Sequence, residues 1–168
     1  MKEFDCNKEI VEQMRQCIRQ DDCKTFKAVI KRKLVGVNDV TQTLLHEATY
    51  KGCIKCIKVL IKNGYDVNGM DEFGWTPLHT SMFANQLSSA KLLLEHYASV
   101  NLISSKGWSA LHLSVYVNDV YIVHELVLNG ADPLLCNSMG ISPFQLSINL
   151  NRSLILDYFL HLSCFLVI

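Results

Sequence analysis

The hydrophobic and polar positions of this chain recur with a period of 33 residues. Large apolar residues align at that spacing, together with small hydroxyl residues, histidines and glycines around them. The aligned apolar positions are Leu45, Leu78, Leu111 and Phe144, and further on Leu60, Leu93, Leu126 and Phe159. A fixed period of this length indicates an array of structural repeats, because one short unit cannot bury its apolar face without a neighbour.

Each repeat is predicted to fold as two short helices. The second helix carries apolar residues at helical spacing, for example Ile54, Ile57 and Leu60. The first helix begins at a hydroxyl residue that can accept hydrogen bonds from free N–H groups of the first turn, and prolines follow two of these residues where a missing N–H costs nothing. These starting residues are Thr43, Thr76, Ser109 and Ser142, and the prolines are Pro77 and Pro143.

The end of the second helix differs between repeats. Gly64 and Gly130 follow its last turn and suit the left-handed backbone that often ends a helix. Tyr97 stands where the third glycine would be, so this helix end must accept strain or adopt another geometry. Residues 68–74 then predict a polar turn that projects toward the next repeat.

Three segments, WTPLHTSMFANQ, TLLHEATYKGCIKCIKVLIKNGYDVN and WSALHLSVYVNDVYIVHELVLNGADP, resemble the ankyrin repeat. The resemblance implies an all-α solenoid of stacked helix–turn–helix units joined by β-turn loops. We predict one ankyrin-repeat domain over residues 1–168. It comprises a degenerate repeat at 9–41, full repeats at 42–74, 75–107 and 108–140, and an incomplete repeat at 141–168. In the degenerate repeat, Cys17, Ile18, Phe26, Val29 and Ile30 supply the apolar positions and residues 36–38 echo the closing motif.

The last repeat ends on the apolar residues 164–168, whereas terminal repeats normally present a polar outer face. A truncated parent chain and a face covered by a partner both explain this, and the sequence does not choose between them. The same segment, 150–168, is barely long enough to span a membrane and contains Arg152, Asp157 and His161. We therefore expect a buried or partner-facing helix, not a membrane anchor.

Composition narrows the classes of partner and compartment. The 168 residues carry 16 basic and 16 acidic side chains, which argues against non-specific binding of nucleic acid. Lys24, Lys27, Lys31, Arg32 and Lys33 form a basic cluster that we interpret as a solvated face without a counterpart elsewhere. The N-terminus has no apolar signal segment, and the seven cysteines have no disulfide-like spacing, so we expect reduced thiols in the cytoplasm or nucleus.

The candidate chemical sites favour structural roles. His46, His79 and His112 recur at one repeat position, but equivalent residues in stacked repeats lie ~10 Å apart, too far for one metal ion. Cys53 and Cys56 form a single C-x-x-C without a second pair, which is weak evidence for zinc or redox chemistry. We find no catalytic motif and expect no enzyme, cofactor, metal site or small-molecule substrate; a zinc-dependent enzyme is the least favoured alternative.

The strongest functional signal is aromatic. In ankyrin arrays the two residues before the Gly or Asn that ends the first helix face the concave groove, which implies a stripe of Tyr50, Phe83 and Tyr116. Aromatic side chains dominate interaction hot spots. The predicted partner-binding residues are Tyr50, Lys51, Glu72, Phe73, Trp75, Phe83, Lys106, Trp108 and Tyr116. Alternatively, the two tryptophans pack on each other and stabilise the stack, or the stripe belongs to the core.

Two further features follow from the resemblance. Asn68 and Asn101 close motifs that an asparaginyl hydroxylase can modify in this family, or they only stabilise a turn by a hydrogen bond. Leu160, Cys164 and Ile168 resemble the core of an elongin-binding box, although Phe159 stands where that box has a small residue or proline.

We predict a protein–protein interaction module, an adaptor or inhibitor. The alternative is the substrate-recognition subunit of a cullin-type ubiquitin ligase.

Overall fold

The computed structural model describes the backbone of residues 2–31 and 39–165 and the side chains of residues 8–31 and 43–162. Within these residues the chain forms ten helices and one isolated β-bridge, between Ile103 and Ser109. The helices are α1 (Lys2–Arg19), α2 (Cys23–Lys31), α3 (Asp39–Lys51), α4 (Ile54–Lys62), α5 (Pro77–Phe83), α6 (Leu87–Glu95), α7 (Ala110–Val117), α8 (Val120–Leu128), α9 (Pro143–Asn149) and α10 (Ser153–Phe165).

Successive helices pair, and the pairs stack side by side. Helices α1, α3, α5, α7 and α9 pack on one another as an inner row. In the outer row α2 packs on α4, α4 on α6, and α8 on α10, while an ion pair of 2.9 Å between Lys91 and Glu125 links α6 to α8. The aligned leucines of both rows are fully buried, from Leu45 at 1% exposure to Leu126 at 0%. The predicted all-α solenoid is confirmed.

Hydroxyl residues start three of the inner helices as predicted. Thr76 and Ser109 each accept the N–H of a histidine three residues later and donate their own N–H to its ring. Ser142 accepts the N–H of Gln145, at 3.2 Å. The prediction for Thr43 was wrong: α3 already begins at Asp39, and the Thr43 hydroxyl accepts a hydrogen bond from Arg15 of α1 instead.

The turns between repeats form a second stacked row, in direct backbone contact. Ser105 donates its N–H to the carbonyl of Phe73 at 3.0 Å, and Ser138 donates to that of Lys106 at 3.3 Å. Gly107 lies in this row with a φ of +75°, and a Cβ there would come within 2.5 Å of the Ser138 nitrogen. Both the backbone conformation and the close approach of the next turn therefore require glycine at 107.

The ends of the second helices bear out the sequence reading. Gly64 and Gly130 adopt φ of +83° and +86°. Tyr97 takes the same left-handed conformation with a φ of +63°, and its side chain is 90% exposed. The chain thus accepts the strain at Tyr97 and obtains little packing from the ring in return.

The interpretation of the lysine cluster as one without a counterpart was wrong. Lys24, Lys27 and Lys31 lie exposed on α2, and three more exposed lysines lie on α4, which packs beside it. These are Lys55, Lys58 and Lys62. The recurrence was missed because α2 and α4 begin 31 residues apart, at Cys23 and Ile54, whereas later outer helices follow the period of 33.

Candidate functional site

The concave side of the solenoid contains a groove of about 1050 Å³ that spans four repeats. Its walls are the last turns of the inner helices and the tips of the inter-repeat turns. All nine residues predicted to bind a partner line this groove: Tyr50, Lys51, Glu72, Phe73, Trp75, Phe83, Lys106, Trp108 and Tyr116. Residues that a pattern separates by 33 positions therefore converge on one surface.

The predicted aromatic stripe consists of equivalent, half-exposed rings. Tyr50, Phe83 and Tyr116 are exposed to 50%, 49% and 51%. Each lies seven residues after the aligned hydroxyl residue of its repeat. In α5 and α7 that hydroxyl residue is the one that caps the helix. The inner helices pack on one another in register, so the three rings project from neighbouring last turns into the same groove.

Each tryptophan of the groove contacts the aromatic ring of its own repeat. Trp75 meets Phe83 edge-to-face with ring centroids 5.4 Å apart, and Trp108 meets Tyr116 in the same way at 6.1 Å. Both indoles also pack against the core. The two tryptophans therefore have a structural role in addition to their place in the groove wall, through contacts within a repeat.

The turn tips form the opposite wall. Asp71 accepts the N–H groups of Phe73 and Trp75 at 2.9 and 2.8 Å, which fixes the first tip and leaves the Phe73 ring 63% exposed. Asn137 holds the third tip with the same pair of bonds to Met139 and Ile141. Phe73, Lys106 and Met139 occupy one tip position at the period of 33.

Sequence reasoning missed several groove residues. Met139, 68% exposed, could have been found by extending the period from Phe73 and Lys106. Arg19 occupies the position of Tyr50 in the first repeat, and only the shorter offset of 31 residues reveals this. Glu47 also lines the groove and forms an ion pair of 2.7 Å with Arg15. Burial raises the pKa of the Glu47 carboxyl, and the neighbouring Arg15 opposes that shift.

The three recurring histidines connect neighbouring repeats. Their Nε2 atoms donate to the carbonyls of Trp75, Trp108 and Ile141 at 2.8, 2.9 and 3.0 Å. In His79 and His112 the other ring nitrogen accepts a backbone N–H, which defines the neutral tautomer. Burial lowers the pKa of His79 and His112. These rings hold the stack together, and the described residues contain no cluster of three or more groups suited to a metal ion.

The C-x-x-C thiols are buried between the first two repeats. Cys53 donates to the Asp21 carboxylate at 3.1 Å, and Cys56 is fully buried in α4. Burial raises the pKa of both thiols. A raised pKa disfavours the reactive thiolate, so this arrangement is that of structural cysteines.

Asn68 and Asn101 bond to the following repeat. Asn68 accepts the N–H of Ser99 at 2.8 Å; Asn101 accepts that of Asp132 at 2.9 Å and donates to the Gly130 carbonyl at 2.9 Å. The expected hydrogen bonds therefore join repeats. Hydroxylation of either asparagine stays a prediction.

The chain end contains only part of the elongin-box resemblance within the described residues. Leu160 is 45% exposed on α10, and Phe159 is buried. The side chain of Cys164 and residues 166–168 lie outside the described part, as do residues 36–38, Arg32 and Lys33 of the first repeat. The cullin-type alternative stays a prediction.

Comparison with known proteins decides the family. A family model described as ankyrin repeats (3 copies) matches residues 14–104 and 45–137, which is more than half of the chain. The chain belongs to the ankyrin-repeat family. Ankyrin repeats are protein-interaction modules. The same matches suggest a non-catalytic protein.

Two curated ankyrin-repeat relatives resemble part of this chain. Protein phosphatase 1 regulatory subunit 27 of Mus musculus and that of Homo sapiens are each 38% identical over 61 residues. The match covers 34% of this chain and 40% of each relative.

In the described portion of this ankyrin array, no helix has both the length and the apolar character that crossing a bilayer requires.

Proposed function

We propose that this chain is a non-catalytic adaptor or inhibitor that binds a partner protein through its concave groove. The observation that supports the proposal is the stripe of Tyr50, Phe83 and Tyr116, half-exposed and flanked by Trp75 and Trp108. A large aromatic ring that is half in water has apolar area still to bury. Rings of this kind at the centre of a groove are typical of interaction hot spots.

The groove is also built on a hydrogen-bonded framework. Capping bonds at Thr76 and Ser109 start the inner helices, and the histidine bonds from His79 and His112 fix one repeat on the next. A partner that binds such a preformed surface orders few additional groups, so more of the contact energy is retained as affinity.

The relatives indicate a first partner to test. Both are regulatory subunits of protein phosphatase 1. We therefore include protein phosphatase 1 beside an unbiased capture experiment. This choice rests on a match over about a third of the chain, and the groove proposal does not depend on it.

The test compares two triple variants. Tyr50→Ala, Phe83→Ala and Tyr116→Ala together remove the stripe, whereas Tyr121→Ala, Leu128→Ala and Leu154→Ala remove three exposed side chains from outer helices. A partner identified by affinity capture and mass spectrometry is then titrated against each purified protein. We expect the control to bind like the wild type and the triple stripe variant to bind more weakly. When the three stripe substitutions are made singly, at least one should lose about 2 kcal/mol of binding free energy, roughly thirtyfold in Kd.

Thermal unfolding of the same variants separates binding from folding. Because the stripe rings are half-exposed, we expect each single variant to lower the melting temperature only slightly. The triple variant should stay folded with a moderate loss, since it also removes the ring contacts to Trp75 and Trp108. Unchanged affinity together with a large drop in melting temperature would assign these rings to the core and refute the groove proposal.

A further inference from the structure

The outer face of the first two repeats contains a concentrated basic surface. Three lysines on α2 and three on α4 are all exposed and lie at matching positions of the two helices, each 31 residues from its equivalent. We call this set the lysine face: Lys24, Lys27, Lys31, Lys55, Lys58 and Lys62. Neither helix contains an acidic residue.

The charges of the lysine face are not neutralised by the described ion pairs, which involve only other residues. Of the two carboxylates that precede α2, Asp21 accepts the Cys53 thiol. Asp22 accepts the N–H groups of Lys24 and Thr25, and hydrogen bonds from Thr25 together with the positive charge of Lys24 lower the pKa of its carboxyl, so Asp22 offsets part of the charge of Lys24. Further along the outer row the pattern ends, because Lys91 is paired with Glu125 at 2.9 Å.

The dimensions of the lysine face make it act as one unit. Seven residues of helix separate the first and last lysine of each row, which is about 10 Å. Packed helices lie 8–10 Å apart. The Debye length at physiological ionic strength is about 8 Å, so each lysine lies within about one Debye length of its nearest neighbours and the six charges form one continuous basic patch.

We propose that the lysine face docks this protein on an anionic lipid bilayer surface. Lysine is a compact, flexible charge without the planar fork that arginine uses for defined phosphate geometry. No aromatic side chain lies on α2 or α4 outside the core, where Phe26 is buried, so the face has no platform for stacking bases. Such a face recognises a partner by its density of negative charge and not by its shape. Clusters of four to eight lysines or arginines on amphipathic helices are typical of binding to acidic lipids.

Docking of this kind differs from membrane insertion and leaves the groove available. The lysines lie on outer helices, whereas the groove is built from inner helices and turn tips. None of the large exposed apolar side chains lies on α2 or α4, so the attraction is electrostatic and reversible. The overall balance of 16 basic and 16 acidic residues does not oppose it, because the basic charge is concentrated on one side.

The test is cosedimentation of the purified full chain with vesicles near neutral pH. One set of vesicles is pure phosphatidylcholine and the other contains about 30% phosphatidylserine, at about 0.1 M salt. Two variants lose the same net charge. Lys55→Gln, Lys58→Gln and Lys62→Gln removes half of the lysine face, whereas Lys8→Gln, Lys51→Gln and Lys106→Gln leaves it intact. Circular dichroism confirms that both variants fold.

We expect the wild type and the control variant to bind the acidic vesicles and to be released by about 1 M salt. Each lysine near an acidic surface contributes roughly a fivefold factor, so the face variant should bind on the order of a hundredfold more weakly. Binding equal to that on pure phosphatidylcholine, or an equal loss in the two variants, would overturn the proposal. Binding to a polyglutamate peptide or to RNA without binding to acidic vesicles would overturn it too and would assign the face to that class of partner.

Discussion

At the scale of single residues, position within the repeat decides what each side chain contributes. His79 and His112 donate to the next repeat and accept from their own helix start, so a residue type often found in catalytic sites acts as a structural link. Gln145 stands at the same position in the last repeat, and its side chain bonds within its own helix, to Asn149. Tyr97, by contrast, adopts a left-handed backbone conformation that is unfavourable for a residue with a Cβ atom.

Tyr97→Gly is expected to stabilise the protein by about 1 kcal/mol, because glycine adopts the left-handed conformation without the steric cost of a Cβ. The ring is 90% exposed, so its removal forfeits little burial. Chemical denaturation measures the free energy of unfolding. Tyr97→Ala keeps the strain while removing the ring, and its stability should stay near that of the wild type. An equal gain in both variants would show that the ring, not the backbone, is unfavourable.

At the scale of elements, the turns matter as much as the helices. Most of the described helices have only seven to nine residues, and the turn row adds backbone bonds between repeats at Ser105 and Ser138. This row requires glycine wherever the next turn approaches closely. Gly107 and Gly140 have nearly the same φ, +75° and +72°, but only Gly107 has a neighbouring turn within 4 Å of a built Cβ.

The two glycines form a matched pair for mutation. Gly140→Ala introduces only backbone strain, and we expect a loss of about 1 kcal/mol in the free energy of unfolding. Gly107→Ala adds the clash with Ser138, so its loss should exceed about 2 kcal/mol. Urea unfolding monitored by circular dichroism measures both values. Equal losses would mean that the turn row shifts freely and that the contact between turns contributes little.

At the scale of the whole molecule, the stack depends on interfaces that are buried and polar. The histidines His79 and His112 are both almost fully buried at these interfaces, and burial lowers their pKa. A base with a lowered pKa in the folded state binds fewer protons there than in the unfolded chain. Stability is therefore complete above the ordinary histidine pKa of about 6.5 and falls as the pH drops below it.

The expected pH dependence follows from this difference. As the pH falls from roughly 6.5 to 5.5, the free energy of unfolding should fall, by at most about 1.4 kcal/mol per pH unit for each histidine. The double variant His79→Gln and His112→Gln should be less stable throughout but have a flatter profile. Denaturant titrations at several pH values measure the slopes. The same slope in wild type and variant would assign the acid sensitivity to other groups.

The sequence by itself determined the repeat, the two-helix unit and most of the groove. These features depend on local chemistry: apolar periodicity sets the helices, hydroxyl residues and prolines set three helix starts, and a constant period brings equivalent residues together. The nine predicted groove residues converge for that reason. Their role in binding stays a prediction.

Tertiary structure decided the features that depend on contacts between repeats. Thr43 is a residue type that often starts a helix, but α3 begins earlier, at Asp39. The Thr43 hydroxyl instead accepts a hydrogen bond from Arg15 of α1. The first two repeats are offset by 31 residues, and only the structure shows this. With that offset, Arg19 lies in the groove at the position equivalent to Tyr50, and the lysines of α4 lie beside those of α2. A period read along the chain fixes which residues are equivalent as long as the spacing is constant. Where the spacing changes, only the packing of one helix on the next shows which side chains share a face.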